Sequence, residues 1–309
     1  MTSQKIGLFL FVAVALAAPA RAIVELDGSF SVSDSDYLNQ ASLYPSVGEF
    51  GSGSGAVSGV LIASDWVLTA GHIAAALTVN VSTFTIGGNT YTVTGTTIYP
   101  TFSLSPTVHD DIAVVQLSAI VPNVTPATMY SGSAELTAKT TGVGAADWVG
   151  YGGTGTGLTG DTGAGRGTER AGTNDVDLYG YFNGATIALT NNPALGTMIV
   201  ADFDNNTVGN NTLSPNSSPF VSSLESGFAV GDSGGGVFAN FGSGNVLIGI
   251  NSFNGGGISE GSGSQYSAYL GSTRVSAYSG WVASEIPEPG YGALAAALAA
   301  GLLAWRRKK

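Results

Sequence analysis

The sequence predicts an all-β protein, and three observations support this. Charged residues make up only 10% of the 309 residues, while 46 residues are glycine. Much of the remainder is β-branched or favours turns, chiefly Ser, Thr and Asn, a composition that favours strands over helices. Short apolar runs separated by tight turns recur along the chain. An apolar content of 44% is sufficient for a packed core, and the length allows one large domain or two smaller ones.

The first 22 residues have the form of a secretory signal peptide. Lys5 precedes an apolar run over residues 6–18, and Ala20-Arg21-Ala22 forms a small-x-small cleavage site. We therefore expect the chain to be exported and cut by a signal peptidase after Ala22.

The last 23 residues form a second processing signal with three parts. Pro287-Glu288-Pro289 is followed by apolar or small residues over 291–305, and four basic residues end the chain. These fifteen residues are fewer than the ~20 that a membrane-spanning helix needs, and the basic end should stay in the cytoplasm. The segment 287–309 resembles the PEP-CTERM sorting signal of Gram-negative bacteria. The resemblance implies transient insertion in the inner membrane, removal by an exosortase-type enzyme, and a final location at the cell surface or outside the cell. A permanent short anchor is the alternative.

Between these two ends the chain is strongly acidic. It keeps all but one of the 21 acidic residues against only four basic ones. This charge argues against nucleic acid as a partner. The chain has no cysteine, so no disulfide can stabilise the exported protein.

The elements follow in order from the amino end. Residues 23–43 are polar and acidic and predict an extended lead-in. Buried strands are predicted at 60–62 and 66–68, and the alternation over 84–93 around Gly87-Gly88-Asn89 predicts a hairpin. Residues 122–126 form a linker between two halves. The Gly/Thr-rich residues 149–172 predict a long mobile loop, residues 246–250 a buried strand, and residues 273–282 a short terminal helix.

A glycine-rich turn contains the candidate nucleophile, Ser233, within Gly231-Asp232-Ser233-Gly234-Gly235-Gly236. A serine hydroxyl needs an adjacent base and donors for the developing oxyanion. Because glycine permits sharp turns, the backbone N–H groups of Gly231 and Ser233 could point at one carbonyl oxygen. A glycine-rich turn with one serine is weak evidence by itself, so the partners of Ser233 decide its interpretation.

The chain has only two histidines, and His72 follows a predicted buried strand and the small residues Ala70 and Gly71. A histidine there can be held firmly while its ring faces a cleft, although a structural histidine would fit the position too. Asp110 and Asp111 precede the buried run 112–117. One of these carboxylates could orient a histidine, but not both, since adjacent strand residues point to opposite faces. Two solvated turn acids are the alternative.

In this order the three segments resemble those of the chymotrypsin-like (trypsin-type) serine protease family. Residues 68–72 resemble its histidine segment, 111–113 its aspartate segment, and 231–235 its serine segment. Residues 249–253 are similar to the strand that borders the substrate, and 273–282 to the closing strand and helix. The resemblance spans about residues 44–282.

This resemblance implies two antiparallel six-stranded β-barrels, at about 44–122 and 127–282 of a domain covering 44–284, with the active site in the cleft between them. It further implies an exported serine endopeptidase that acts on protein or peptide substrates through an acyl-enzyme and needs no cofactor. His72, Asp111 and Ser233 would form the triad, and Gly231 and Ser233 the oxyanion hole. A matrix module without activity and an esterase-like acyl transferase are the alternatives.

Two further expectations concern specificity and activation. Gly227, Ser252 and Phe253 are candidate substrate-binding residues, and Gly227 stands where trypsin-type members carry an acidic residue, so a preference for Arg or Lys is not supported. Cleavage after Ala22 would free the amine of Ile23, which by the resemblance could pair with Asp232 and complete the active form. In the alternative, Ile23 merely begins the lead-in.

The acidic segment 201–206 contains oxygen ligands that suit calcium, notably Asp202 and Asp204. Because the segment lacks an ordered ligand spacing, a plain acidic turn remains the alternative, and no metal is assigned.

Overall fold

The computed structural model describes residues 23–51, 55–104, 109–136, 145–183, 186–213, 223–255 and 264–287. Its helices are α1 (Asp34–Ala41), α2 (Gly71–Ala76) and α3 (Val275–Glu285). The strands of the amino-terminal half are β1 (Ile23–Glu25), β2 (Val47–Phe50), β3 (Val57–Ala63), β4 (Trp66–Thr69), β5 (Thr83–Ile86), β6 (Asn89–Ile98) and β7 (Ala113–Leu117). Those of the carboxy-terminal half are β8 (Ala146–Gly150), β9 (Thr154–Thr156), β10 (Gly160–Ala164), β11 (Arg170–Asn174), β12 (Leu178–Asn183), β13 (Thr186–Thr190), β14 (Met198–Asp202), β15 (Ser226–Gly227), β16 (Gly236–Asn240), β17 (Asn245–Gly255) and β18 (Tyr269–Arg274).

The first half is a closed barrel in the order β2-β3-β4-β7-β6-β5, with antiparallel neighbours. The predicted hairpin joins β5 to β6 through Gly87 and Gly88, whose φ angles of 57° and 76° suit the two-residue turns that match strand twist. Phe50 and Phe84 are fully buried in the barrel, with ring centroids 4.6 Å apart. The predicted strands at 60–62 and 66–68 are confirmed as β3 and β4.

The second half contains an eight-stranded sheet, in the order β11-β8-β16-β17-β18-β14-β12-β13, and a four-stranded sheet, β10-β9-β1-β15. The predicted all-β class with a closed barrel is therefore confirmed, while the second half has eight strands in its main sheet where six were expected. α3 follows β18 directly and contributes buried Val275, Tyr278 and Val282 to the core, which confirms the predicted terminal helix.

The prediction of an extended lead-in is wrong for much of residues 23–43. Ile23 and Val24 are fully buried, and β1 pairs antiparallel with β15 and parallel with β9. α1 begins with a capping box between Ser33 and Asp36 and buries Tyr37, whose hydroxyl donates to the carbonyl of Glu225. Residues 23–43 are mostly polar, so their pattern did not indicate the few buried apolar residues. The strand β15 and Glu225, which these residues contact, lie about two hundred positions further along the chain.

The predicted mobile loop at 149–172 is also different in the structure, because most of it is paired. β9 and β10 form a hairpin, and β11 pairs with β8 over five residues. Glycine makes this close pairing possible, since a Cβ at Gly155 would lie 1.7 Å from the carbonyl oxygen of Gly160. Backbone hydrogen bonds stabilise this segment, and a composition-based prediction could not detect them.

Candidate active site

His72 lies in the first turn of α2, directly after β4, and is bound twice by one carboxylate. Its backbone N–H donates to Oδ1 of Asp111 at 2.8 Å, and its Nδ1 lies 2.8 Å from Oδ2. The Asp111 side chain is 2% exposed and that of His72 26% exposed. A carboxylate at this position accepts a hydrogen bond from Nδ1–H. In the neutral ring Nε2 then carries no proton and can act as a base.

The structure separates the roles of the two adjacent aspartates. Asp111 lies just before β7 and also accepts hydrogen bonds from the Ser252 hydroxyl, on its carboxylate, and from Thr273 Oγ1, on its backbone carbonyl. Asp110 has a left-handed backbone (φ 50°), and its carboxylate accepts from Thr101, His109 and Tyr278 instead. The second histidine, His109, therefore contacts Asp110, and Asp111 alone meets His72.

Ser233 is half-buried in a turn between β15 and β16, in which Gly231 and Gly234 have φ angles of 105° and 83°. Such angles are available to glycine at little cost. The carbonyl of Ser233 accepts from the N–H of Ser58 on β3, and the N–H of Gly234 donates to the carbonyl of Asn251. The first barrel, through Ser58, and the second half, through Asn251, thus both hold the turn.

The N–H groups of Gly231 and Ser233 donate to no protein acceptor among the residues that the structure describes, and the Ser233 hydroxyl likewise has no hydrogen-bond partner there. These are the two donors that the sequence suggested for an oxyanion hole. The carbonyl of Gly231 accepts from Ser58 Oγ at 2.9 Å, which fixes the peptide that precedes Asp232. The turn therefore presents a hydroxyl and two available backbone donors.

Two connections bring the histidine segment to this turn. A Cβ at Gly234 would lie 2.1 Å from Oγ1 of Thr69, the last residue of β4 and only three residues before His72. On the other side, Ser252 contacts Asp111 and also lines a cavity of about 210 Å³ together with Ser233. The fold therefore draws the segments of His72, Asp111 and Ser233, which are far apart in sequence, towards one region where the two halves meet.

The cavity beside Ser233, called the Ser233 cavity below, contains two of the three predicted substrate-binding residues, Ser252 and Phe253. Gly227 is instead enclosed in β15, where a Cβ would lie 2.7 Å from the Phe203 ring. Sequence reasoning missed Asn254, because no local signal shows where its side chain reaches. The lining is formed by Phe228, Ala229, Val230, Ser233, Asn251, Ser252, Phe253 and Asn254.

Asp232 is fully buried under the turn. Its Oδ1 accepts from the N–H of Gly152 and its Oδ2 from the N–H of Ala229, both at 2.8 Å. Burial raises the pKa of Asp232 to about 7, although these two backbone hydrogen bonds lower it. Among the described residues no cation forms an ion pair with this carboxylate.

Ile23 lies near this region of the second half, since it pairs with Thr154, two residues after Gly152. Its side chain is fully buried, and its φ angle is 67°. A positive φ is unfavourable for a β-branched residue and marks local backbone strain. The structure thus places the predicted activation residue inside the fold rather than in a free lead-in.

The acidic segment around Asp202 and Asp204 is buried. Thr212 and Leu213 donate three hydrogen bonds to Oδ2 of Asp202. Burial raises the pKa of Asp204 to about 8, with Asp202 and Asp175 adding to the effect. Within the ranges described above, no group of three or more His, Cys, Asp or Glu side chains is arranged to hold a metal ion.

The chain is similar to known proteins both in part of its sequence and in its fold. Residues 39–169 match the family model for trypsin, a range that includes His72 and Asp111 and ends before Ser233. Among solved structures, the chain is similar to neuropsin, a serine protease expressed in the limbic system of mouse brain. The TM-score is 0.53 and the identity 16%, over 79% of this chain and 95% of that chain. Curated protein sequences give no match.

At this identity the structural likeness shows the fold, and the family match covers the first barrel and its connection to the second half. One fold hosts many activities, so the likeness by itself assigns no activity to the chain. The chain therefore has the two-part β fold of the chymotrypsin-like serine proteases, and its residues 39–169 match the trypsin family model.

Proposed function

We propose that the protein is an exported serine endopeptidase with His72, Asp111 and Ser233 as its catalytic triad. The observation that carries the proposal is the double contact of Asp111 with His72, together with a serine turn in which the N–H groups of Gly231 and Ser233 donate to no acceptor among the described residues. A structural histidine needs no such arrangement. The combination of base, orienting acid and oxyanion donors is what acyl transfer requires.

In this mechanism Ser233 Oγ attacks the carbonyl carbon of the peptide bond while His72 Nε2 takes the hydroxyl proton. The N–H groups of Gly231 and Ser233 stabilise the oxyanion. The C–N bond then breaks, and His72 returns the proton to the departing amine, leaving an acyl-enzyme. His72 then takes a proton from water, which attacks the ester carbonyl. The acyl C–O bond breaks, the acid product leaves, and His72 returns the proton to Ser233 Oγ. Asp111 accepts a hydrogen bond from Nδ1–H in both steps and stabilises the imidazole whenever it carries the extra proton.

A fluorophosphonate probe tests the proposal, because it labels only an activated serine. We expect the full chain, expressed for export and purified, to be labelled, and Ser233→Ala and His72→Ala to be unlabelled. Ser279→Ala, at a serine of α3, serves as the matched control and should label like the wild type. Digestion of a denatured protein mixture then distinguishes a peptidase from an esterase-like acyl transferase.

The competing proposal is a matrix or adhesion module without activity on the same fold. It predicts a folded wild-type protein that neither reacts with the probe nor cleaves peptides. Such a result with correctly processed protein would contradict the proposed function.

We further propose that removal of the signal peptide completes the active form. After cleavage, the amine of Ile23 would supply a cation for the buried carboxylate of Asp232, whose pKa is raised to about 7 by burial. The φ angle of Ile23 is defined by the bond to residue 22, so cutting that bond would also relieve the strain at φ 67°.

An extra alanine between Ala22 and Ile23, with cleavage verified by mass spectrometry, tests this idea. We expect it to lower the labelling rate at least about tenfold, since the amine would be moved by one residue. Replacing Asn39, an exposed residue of α1, by alanine serves as the control. Equal activity with the extra residue would exclude the Ile23–Asp232 pair as the activating contact.

The proposed route of export depends on sequence alone, because residues 1–22 and 288–309 lie outside the described residues. We propose cleavage by a signal peptidase, transient inner-membrane insertion of the PEP-CTERM-like tail, and release by an exosortase-type enzyme to the cell surface or medium. No helix in the described part of the chain is long and apolar enough to cross a membrane. Intact-mass measurement of the mature protein would show whether both ends are removed, and a retained tail would favour the permanent anchor.

A further inference from the structure

Two segments of the chain line the Ser233 cavity, and the solvent exposure of their residues shows which end of the cavity lies deeper in the protein. One wall is formed by residues 228–230, and the other by residues 252–254. Val230 is 59% exposed, whereas Phe228 is only 4% exposed. The first wall therefore runs from solvent at Val230 into the protein at Phe228, so the Phe228 end is the inner end of the cavity.

The side chain of Asn254 joins the two walls at this inner end. Its Nδ2 donates to the carbonyl of Phe228 at 3.2 Å and to Oγ of Ser264 at 2.8 Å. Ser264 is itself 4% exposed. The half-buried amide is thus held by two partners from buried residues, and a longer substrate side chain that reaches this end would have to displace it.

Among the described residues, the position next to Phe228 has no room for a substrate side chain. Gly227 precedes Phe228, and the space for a Cβ there is already taken by the Phe203 ring. The rings of Phe203 and Tyr266 are in contact, with centroids 4.8 Å apart. Every described residue that lines the cavity is uncharged. A lysine or arginine side chain would therefore lose its hydration without gaining a carboxylate.

From these contacts we propose that Asn254 sets the specificity, so that the enzyme cleaves after small residues such as alanine and serine. This inference rests on the proposed peptidase function and names its substrate class. A bulky residue on the amino side of the cleaved bond must push Asn254 aside and leave the Phe228 carbonyl and the Ser264 hydroxyl without their partner. Unpaired buried polar groups are unfavourable, so the discrimination should be tenfold or more.

Peptides that differ only in the residue before the cleaved bond test this inference. The probe from the labelling experiment gives the concentration of active enzyme, and kcat/KM is then measured for alanine, phenylalanine and arginine peptides. We expect the wild type to favour alanine over phenylalanine and arginine by at least about tenfold. In Asn254→Gly and Asn254→Ala we expect the phenylalanine peptide to gain about tenfold relative to the alanine peptide. Ser264→Ala, which removes one partner of the amide, should give a smaller gain. Asn183→Ala, at the end of β12, is the matched control and should keep the wild-type ratio.

The two proposals fail in different ways. A folded wild type that neither labels nor cleaves overturns the proposed function, and this inference with it. A wild type that labels but prefers phenylalanine or arginine contradicts only the role of Asn254. An alanine-to-phenylalanine ratio that is the same in the wild type and in both labelled Asn254 variants also contradicts it. If one variant does not fold, the other and Ser264→Ala still decide the question.

Discussion

The hydroxyl of Ser252 donates a hydrogen bond to Oδ2 of Asp111, the same carboxylate oxygen that meets Nδ1 of His72. Ser252 belongs to β17 of the second half, whereas Asp111 and His72 belong to the first barrel. One carboxylate oxygen therefore joins the two halves at the candidate active site. The sequence suggested Ser252 as a substrate-binding residue, but this contact makes it a positioning residue for Asp111 as well.

Replacing Ser252 by alanine should slow acylation about tenfold, because hydrogen bonds to charged groups are the stronger ones. The rate of reaction with a small fluorophosphonate measures this, since that probe depends little on the substrate cavity. Ser252→Thr keeps a hydroxyl and should recover much of the rate. A Ser252→Ala enzyme with the wild-type labelling rate and only an altered KM would show that Ser252 serves the substrate alone.

Replacing Asp111 by asparagine should reduce kcat by about 10⁴-fold, because the amide would favour the wrong histidine tautomer. Asp110→Asn is the matched control, since its carboxylate contacts Tyr278 and Thr101 and not His72. Activity is followed on a cleavable peptide after folding has been checked by circular dichroism. Equal losses in both variants would mean that the adjacent aspartates do not differ in role.

Glu169 should make the protein less stable as the pH rises. Burial raises the pKa of Glu169 to about 8, and its Oε2 accepts from the Tyr151 hydroxyl. Between the unfolded pKa, near 4.5, and about 8, the folded state holds a proton that the unfolded state has lost. The contribution of Glu169 to the free energy of unfolding is therefore greatest below about pH 4.5 and decreases as the pH rises to about 8.

Glu169→Gln should reduce this loss of unfolding free energy between pH 5 and pH 8 by on the order of 2 kcal/mol. Urea unfolding at pH 5, 6.5 and 8 provides the measurement, with Glu285→Gln at the end of α3 as the control. An unchanged pH dependence in Glu169→Gln would show that this carboxylate titrates alike in the folded and unfolded states.

The first barrel should depend strongly on Phe84. Its ring is fully buried against Phe50, and a Cβ at Gly48 would lie 2.6 Å from it, so the two strands leave room only for this ring. Phe84→Ala should cost about 3–5 kcal/mol of unfolding free energy. Ile120→Ala, at a residue 65% exposed, should change it by less than about 0.5 kcal/mol. Chemical denaturation measures both, and similar values would argue against a rigid barrel core.

The local sequence determined those features that depend on neighbouring residues. Alternation and the Gly87-Gly88 turn predicted the β5–β6 hairpin, and the segments around His72, Asp111 and Ser233 each carry their own signal. The strand pairing over 149–172 and the burial of β1 were not predicted. β8 pairs with β11 across the β9–β10 hairpin, and β1 pairs with β15 far along the chain, and no local pattern records such backbone partners.

The family resemblance favoured Asp111 over Asp110, but the residue types alone left either carboxylate possible. The tertiary structure shows that Asp111 is the one that contacts His72 on α2 when β7 pairs with β4 and β6. It also decided the form of the Ser233 cavity. The residue types around Ser233 were readable in sequence, but the reach of Asn254 to Phe228 and Ser264 exists only when β17 packs beside the turn. The sequence thus indicated which residue types could take part in the reaction. Only the fold shows which of these side chains contact one another, because those contacts join residues that are far apart in the chain.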